Sequence, residues 1–390
     1  MEVKPGYKQT EIGVIPEDWE VSHLSKLCTL IVDGTHQTPQ YVSVGVPFYS
    51  VENVVGNRFT DSKHISMKEH QNISKRALPH KGDILLTRIG SLGSTKLVDW
   101  EYESSIYVSL ALLRFNQSVD NSFIYSYTKS WSFRKSIQDR ALMNAIPIKI
   151  NMCMIGQIPI PIPSKTEQRE IGNAISNIDS LITSLEKLIE KKKLIKQGVM
   201  QDFLTGKKRL PGFTGEWETK SLDEILSYER PDKYYVTNTE YADAGLVPVL
   251  TANKSFVLGY TNDTDGICHN IPAIIFDDFT TDSKYVDFPF KVKSSAIKIL
   301  RTKHNGDVLL LIYCILQMIS FPLGDHKRYY LSEYRYLSIK IPGKVEQKAL
   351  SAYLEDMESE IKTLEKQLAK YQLIKEGMMQ ELLTGRIRLI

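Results

Sequence analysis

The chain is poor in the features that mark most catalytic or metal sites. It has four cysteines in 390 residues, and Cys28, Cys153, Cys268 and Cys314 form no CxxC pair. No histidine stands near them at metal-ligand spacing, which excludes a zinc-finger arrangement and a disulfide framework and suits a reducing compartment. No apolar run reaches the roughly 20 residues that cross a bilayer, and the longest, Val308 to Ile319, is interrupted by Gln317. The opening MEVKPGYKQTEIG has no apolar centre, so a secretory leader is not expected and the expected location is cytoplasmic, with no membrane partner. Charge of one sign is also lacking. A net +3 means that any nucleic-acid contact must rest on local basic surfaces.

Signatures of chemistry are missing as well. No GxGxxG follows a strand, no GxxxxGK[ST] occurs, and no NPPF-like adenine-methyltransferase motif is present. The sequence therefore points to no catalytic residue, no metal ligand and no cofactor of its own.

At 42% hydrophobic and 24% charged, the composition is that of a globular protein long enough for two or three domains. The chain repeats itself. Sliding it by 179 residues aligns 158–210 with 337–389 without a gap, and 23 of the 53 positions are identical. Both copies open on a β-like tail, proline and a charged pair, IPSKTEQ and IPGKVEQ, and both close on LTG. Gly206 and Gly385 then stand where a helix ends in a left-handed residue. In between, Ile171, Ile175, Ile178, Ile182, Leu185 and Ile189 alternate steps of four and three, as do Leu350, Leu354, Met357, Ile361, Leu364 and Leu368. That is an a/d seam, predicting helices over about 165–203 and 344–382, each roughly 55–60 Å long. For a single such helix the seam would face its own domain, but two matched seams make each other the expected partner. Antiparallel pairing would relate them by an approximate two-fold axis.

The segments between the repeats differ in sequence but share a frame. DWEVSHL and EWETKSL each place a tryptophan, Trp19 or Trp217, five residues before a leucine. Short β-rich runs follow: VPFYSV and GDILLTRIG in the first, VPVLTA, PAIIFDDF and SSAIKIL in the second. A helical stretch comes next in each, near 122–140 and 307–320. The expected divisions are an N-terminal segment and first variable domain over 1–157, a helical spacer over 158–210, a second variable domain over 211–336, and a second spacer over 337–390. The expected fold class is α+β. Two α/β domains with twisted mixed sheets are joined by two long helices in an antiparallel coiled coil, with pseudo-two-fold symmetry.

Over nearly the whole length this arrangement resembles the specificity subunit of type I restriction–modification systems. The likeness is carried by YKQTEIGVIPEDWEV, IPSKTEQREIGNAISNID, LIKQGVMQDFLTGKKRLPGF with its second copy, DGTHQTPQY, GDILLTRIGSLG, VPVLTANKSFVLGYTN, IIFDDFTTDSKYVDF and GDHKR. No one motif is decisive; order and repetition together are. The resemblance implies two target-recognition domains, each reading one half of a split double-stranded DNA site. It implies that the helices dock two methyltransferase subunits, with two restriction subunits joining that core. Chemistry would belong to those partners: S-adenosylmethionine-dependent methylation of adenine N6, and ATP- and Mg-dependent translocation and cleavage. The second domain carries GDHKR where the first reads AIPIKIN, so contacts carried over at that place are safer in the second.

Phosphate contacts give affinity and base edges give sequence, so polar loops with Arg, Lys, Asn or Gln are the candidates. In the first domain these are Gly34, Thr35, His36, Gln37, Asn53, Arg88, Ser91 and Ser94. RIGSLGST, from Arg88 to Thr95, could hold a DNA phosphate through backbone N–H groups or be a plain tight turn. In the second domain the candidates are Thr251, Asn253, Lys254, Thr280, Lys284, His326, Lys327 and Arg328. Any one of them can equally be a solvated loop residue. Asp277, Asp278 and Asp282 resemble a metal-binding pair but fit caps and turns better. Lys191, Lys192 and Lys193 read as a solvated helix face, with a partner or DNA surface as the sharper alternative. Two other function classes stay open on residues alone: a self-standing nuclease or methyltransferase, and a coiled-coil adaptor with two protein-binding domains.

Overall fold

The computed structural model describes residues 4–237, 241–251, 255–323 and 327–389. The candidates Asn253, Lys254 and His326 lie outside the described residues. The chain forms two compact units, Met1–Glu186 with Lys366–Ile390, and Lys187–Glu365. This cuts differently from the sequence divisions, because each long helix is split between the units instead of standing as a spacer of its own.

The first unit begins with a hairpin, β1 (Tyr7–Thr10) and β2 (Gly13–Pro16), then β3 (Glu20–His23), α1 (Leu24–Leu27) and β4 (Cys28–Asp33). It continues through β5 (Tyr41–Val42), β6 (Val46–Tyr49), α2 (Val51–Gly56), β7 (Lys63–Ile65) and α3 (Met67–Ile73). Next come β8 (Ile84–Thr87), β9 (Thr95–Leu97), β10 (Ser105–Ile106) and β11 (Leu110–Phe115). Helices α4 (Asn121–Thr128), α5 (Trp131–Arg140) and α6 (Met152–Gly156) and strand β12 (Pro159–Ile162) lead into α7 (Lys165–Leu204). The second unit holds β13 (Glu218–Ser221), α8 (Leu222–Ile225), β14 (Leu226–Glu229), β15 (Val247–Leu250) and β16 (Val257–Thr261). It closes with β17 (Ala273–Asp277), β18 (Ser283–Val286), β19 (Lys291–Val292), β20 (Ile297–Thr302), α9 (Leu309–Leu316), β21 (Ser338–Ile341) and α10 (Lys344–Leu382).

The main sheet has the same plan in both units: order β4-β11-β8-β9 in the first and β14-β20-β17-β18 in the second, every neighbour antiparallel. Mixed pairing occurs in the sheets ordered β10-β6-β7-β5 and β16-β15-β19. The parallel pairs, β10 with β6 and β15 with β19, are confined to smaller sheets. The central strands are apolar at nearly every position because both faces are covered. Ile84, Leu86, Ala111 and Leu113 face one core, and Leu85, Leu110 and Leu112 the other. In the second unit Ile274, Phe276 and Leu300 face one core, and Ala273, Ile275, Ile297 and Ile299 the other. Period-2 alternation sends successive side chains to opposite cores, so hydrophobic runs replace the usual apolar–polar pattern.

The helical stretch expected over 122–140 is two helices. Lys129 caps the end of the first and Ser130 the start of the second, its hydroxyl accepting from the Phe133 N–H at 3.2 Å.

Within each unit α7 and α10 run side by side in opposite directions. In the second unit Lys192, Lys196, Phe203 and Arg209 meet Glu360, Glu358, Tyr353 and Glu346, so numbers rise on one helix as they fall on the other. In the first, Lys375 pairs with Asp179 at 2.5 Å and Arg388 with Glu167 at 2.6 Å. All twelve seam residues are buried or half-buried. The seam is not purely helix against helix, however. Ile171 and Ile175 share a core with the first unit's sheet as well as with Leu382 and Leu383, and Leu350 and Leu354 do the same with the second sheet and Leu204. Burying such a side chain contributes about 1.5–3 kcal/mol, so the outer ends of the seam fasten helix to domain as well as helix to helix.

The repeat ends explain their own residues. Gln168 accepts from the Asp120 N–H and donates to the Pro163 carbonyl, and Gln347 accepts from Val308 N–H and donates to Pro342. Each glutamine thus ties the start of a long helix to the N-cap of another helix of its unit, α4 in the first and α9 in the second. The adjacent Glu167, 2% exposed, accepts from the Trp19 indole and from Arg388. Glu346, 3% exposed, accepts from Trp217 and Arg209. The tail of each repeat is therefore clamped onto the head of the other.

Candidate nucleic-acid interface

In the first unit β4 ends on Asp33 and turns through Gly34, Thr35, His36 and Gln37. The turn is tied down by its backbone. Gly34 N–H donates to Leu110, Thr35 N–H to Ile106, and the Thr35 carbonyl accepts from Val108 at 2.9 Å. A Cβ on Gly34 would lie 2.1 Å from the Ile106 carbonyl oxygen, so only glycine allows this approach. The loop lines an open cleft of about 500 Å³ whose other wall is formed by Asn72, Ile73, Arg76 and Ala77. His36 and Gln37 are exposed on it.

Under the cleft lies a buried carboxylate. Asp33 pairs with Arg88 at 3.2 Å, Arg76 at 2.5 Å and the His36 ring Nε2 at 3.0 Å. Arg88 is 7% exposed and donates also to the Val108 and Ile150 carbonyls. Burial pulls its guanidinium below the usual range, while the Asp33 charge opposes that shift. Arg88 therefore serves as the internal counter-ion of Asp33 in this structure.

Asn53 is likewise engaged within the fold. Its carbonyl accepts from the Ser50 N–H at 2.9 Å and its amide donates to the Arg58 carbonyl at 2.8 Å, so both ends of the side chain close the turn of α2. The RIGSLGST loop is a tight turn with several of its N–H groups bonded within the fold. Gly90 N–H donates to Ile148, Gly93 N–H to the Thr87 carbonyl, and Ser94 N–H to the Thr87 hydroxyl. Ser91 in the same stretch is exposed.

The second unit brings its candidates together around the β17–β18 turn. Asp277 accepts from the Phe279 and Thr280 N–H groups, an Asx-type turn that leaves Thr280 exposed. Asp278, 1% exposed, pairs with Lys298 at 2.9 Å and accepts the Tyr330 N–H at 2.7 Å. These acids are thus a cap and a buried ion pair, and no cluster of three metal-ligating side chains occurs among the described residues. Because Asp278 holds the backbone of 329–330, the preceding Lys327 and Arg328 stand next to the turn. Arg328 lies over the Phe279 ring at 5.8 Å, and Lys327 pairs with Glu333. Lys284 is half-buried on β18, away from the turn's tip, and Thr251 donates its N–H to Phe256. Beneath the neighbouring loop, the fully buried Lys291 binds Asp263 at 3.0 Å and the Asp265 carbonyl at 2.7 Å, which holds the Asp263 carboxyl below its usual range.

Arg76, Asn72 and Asp33 belong to the cleft but were not singled out from sequence. Asp33 adjoins the DGTH stretch, which was a usable signal, whereas SKRALP gives no reason to prefer Arg76 over Lys75. On the paired helices, Lys192 and Lys193 meet Glu360 and Glu365, so part of the basic run is an ion-pair ladder to α10.

The geometry now has counterparts elsewhere. A model of the type I restriction modification DNA specificity domain matches residues 16–197 and again 214–371. The chain is 47% identical over 140 residues to the Escherichia coli type I restriction enzyme EcoR124I/EcoR124II specificity subunit, a match that spans 35% of this chain and 34% of that protein. It is 25% identical to the putative type I restriction enzyme MjaX specificity subunit of Methanocaldococcus jannaschii, with 98% of this chain and 96% of that one covered. Its fold is similar to the type I restriction–modification S subunit of M. genitalium, with a TM-score of 0.67, 16% identity and 98% of both chains covered.

Proposed function

The chain belongs to the type I restriction–modification DNA specificity family, and from that premise we propose that each unit reads one half of a split duplex site while the paired helices set the unread gap. The observation that supports this most is the common frame with unlike edges. The same sheet order carries Gly34–Gln37 and Arg76 at one unit's loops, and Thr280, Lys327 and Arg328 at the other's. A shared frame suits two copies of one partner, and unlike loops suit two different half-sites.

In this reading two methyltransferase subunits dock on the helices, and two restriction subunits join them. S-adenosylmethionine, ATP and Mg are used by those partners, and the complex works in the cytoplasm. The chain itself binds, orients and measures. No helix among the described residues is long and apolar enough to cross a membrane. Mapping N6-methyladenine across the genome of cells with and without this chain tests the reading. The expected result is a two-part motif with a fixed gap that vanishes when the chain is deleted. Methylation unchanged by the deletion overturns it.

A further inference from the structure

The cleft beside the Asp33 turn holds one more cation than its buried carboxylate requires. Arg88 already neutralises Asp33 from beneath and also donates to the Ile150 and Val108 carbonyls. Arg76 is a second guanidinium on the same carboxylate, its side chain 60% exposed, on the wall opposite Gln37. An ion pair that open to water adds little to stability, and electroneutrality is met without it. What the contact does is fix a long side chain. One terminal nitrogen rests on the Asp33 Oδ1 at 2.5 Å, and that oxygen is set by a fully paired strand and a clamped turn.

We infer that Arg76 is the guanine-reading residue of the first unit and Asp33 the residue that positions it; this rests on the DNA-reading role proposed above. A guanidinium has five donors in a planar fork, and the contact to Asp33 leaves enough of them for the O6 and N7 acceptors of guanine in the major groove. Asn72 and Gln37, both exposed on the same cleft, present amides suited to an adenine edge beside it. The Asp33 carboxylate keeps the fork from folding onto the surface and sets its plane. This is the supporting contact that a specific arginine needs and a phosphate-binding arginine does not.

The test uses the chain expressed together with its partner subunits, offered a pool of random duplexes. The wild-type complex should enrich a split site with a G·C pair in one half. Arg76→Ala should admit all four base pairs at that position, weaken binding to the wild-type site about 10- to 100-fold, and leave the other half-site and the gap unchanged. Arg76→Lys, which loses the fork but keeps the charge, should relax the same position. Asp33→Asn made together with Arg88→Met, which avoids stranding the buried Arg88 charge, should do so too, and adding that pair to Arg76→Ala should relax nothing further. The thermal midpoint of Arg76→Ala should match wild type, because the side chain is exposed. Uniform weakening on every sequence, with a salt dependence shallower by about one unit, would make Arg76 a phosphate contact and overturn the assignment. Unchanged enrichment by Arg76→Ala would overturn it as well. If the Asp33→Asn and Arg88→Met pair blurs all positions equally, the positioning role of Asp33 falls. A wild-type complex that enriches no sequence would remove the DNA-reading role itself, and this inference with it.

Discussion

The clamp on Glu167 makes a quantitative demand. Glu167 is 2% exposed and accepts from the Trp19 indole at 3.1 Å and from Arg388 at 2.6 and 2.8 Å. Arg388 keeps about a quarter of its side-chain surface and also holds Asp18 at 2.7 Å. The two partners are therefore unequal. Arg388→Met strands a buried carboxylate with one neutral donor. Breaking a fully buried pair costs about 3–5 kcal/mol, and the partial exposure of Arg388 reduces that to about 2–3 kcal/mol. For a unit of about 200 residues this lowers the thermal midpoint by about 5–10 °C. Glu167→Gln leaves a neutral acceptor for Trp19 and Arg388, and leaves Arg388 its Asp18 partner, so it should cost about 1 kcal/mol. The double variant should resemble Glu167→Gln alone, because the stranded charge is gone. Calorimetry or denaturant unfolding of the four proteins reads this directly. Equal losses for the two single variants, or additive losses in the double, would refute the reasoning.

Three further outcomes follow from the same geometry. Gly34→Ala puts a methyl 2.1 Å from the Ile106 carbonyl oxygen, a backbone atom that cannot swing away, and should lower unfolding stability by at least about 1–3 kcal/mol in urea titrations. Removing one helical turn from both α7 and α10 should change the unread gap in the methylation motif and leave both half-site sequences alone; altered half-sites with an unaltered gap would contradict the measuring role. The hydrogen bond from Arg388 holds the Asp18 carboxyl below its ordinary 3.8, and that from Lys196 holds Glu358 below 4.5. Depressed folded-state values mean stability that is complete above the ordinary ones and lost as pH falls through the folded ones. Thermal midpoints should therefore drop in acid below about pH 4, less steeply in Arg388→Met, which lacks the Asp18 contact.

The helices were legible because a seam with steps of four and three is a direct record of helix geometry. The expected 165–203 and 344–382 became Lys165–Leu204 and Lys344–Leu382. The strands were legible as apolar runs between turn residues. The partition of the seam was not, since a buried isoleucine on a helix has the same pattern whether it meets another helix or a sheet. Ile175 meets both. The site was legible only as loops. A sequence does not tell an arginine spent on an internal carboxylate, as Arg88 is, from one held open at the surface by that same carboxylate, as Arg76 is. Asn53 is ambiguous for a related reason: a turn and a base edge ask for the same amide.

The corresponding place in the second unit shows what the frame demands of its variable residues. Arg88 donates its N–H to Ser109 and accepts from Ile150; Asp278 donates to Ala296 and accepts from Tyr329. The backbone position is the same, yet its charge is reversed, and the counter-ion has moved from Asp33 on β4 to Lys298 on β20. The frame thus fixes a buried ion pair under the reading loops without fixing its sign. Lys298 is 5% exposed and Asp278 1%, so Lys298→Met should cost about 3–5 kcal/mol by stranding the carboxylate. Asp278→Asn combined with Lys298→Met should recover most of that loss, because the asparagine oxygen can still accept the Tyr330 N–H that Asp278 holds at 2.7 Å. That backbone bond carries Lys327 and Arg328 to the turn, so the double variant should keep the half-site preference of the second unit as well as its stability. A double variant that is stable but reads a different half-site would mean that the buried charge itself, and not the backbone it anchors, shapes the reading surface.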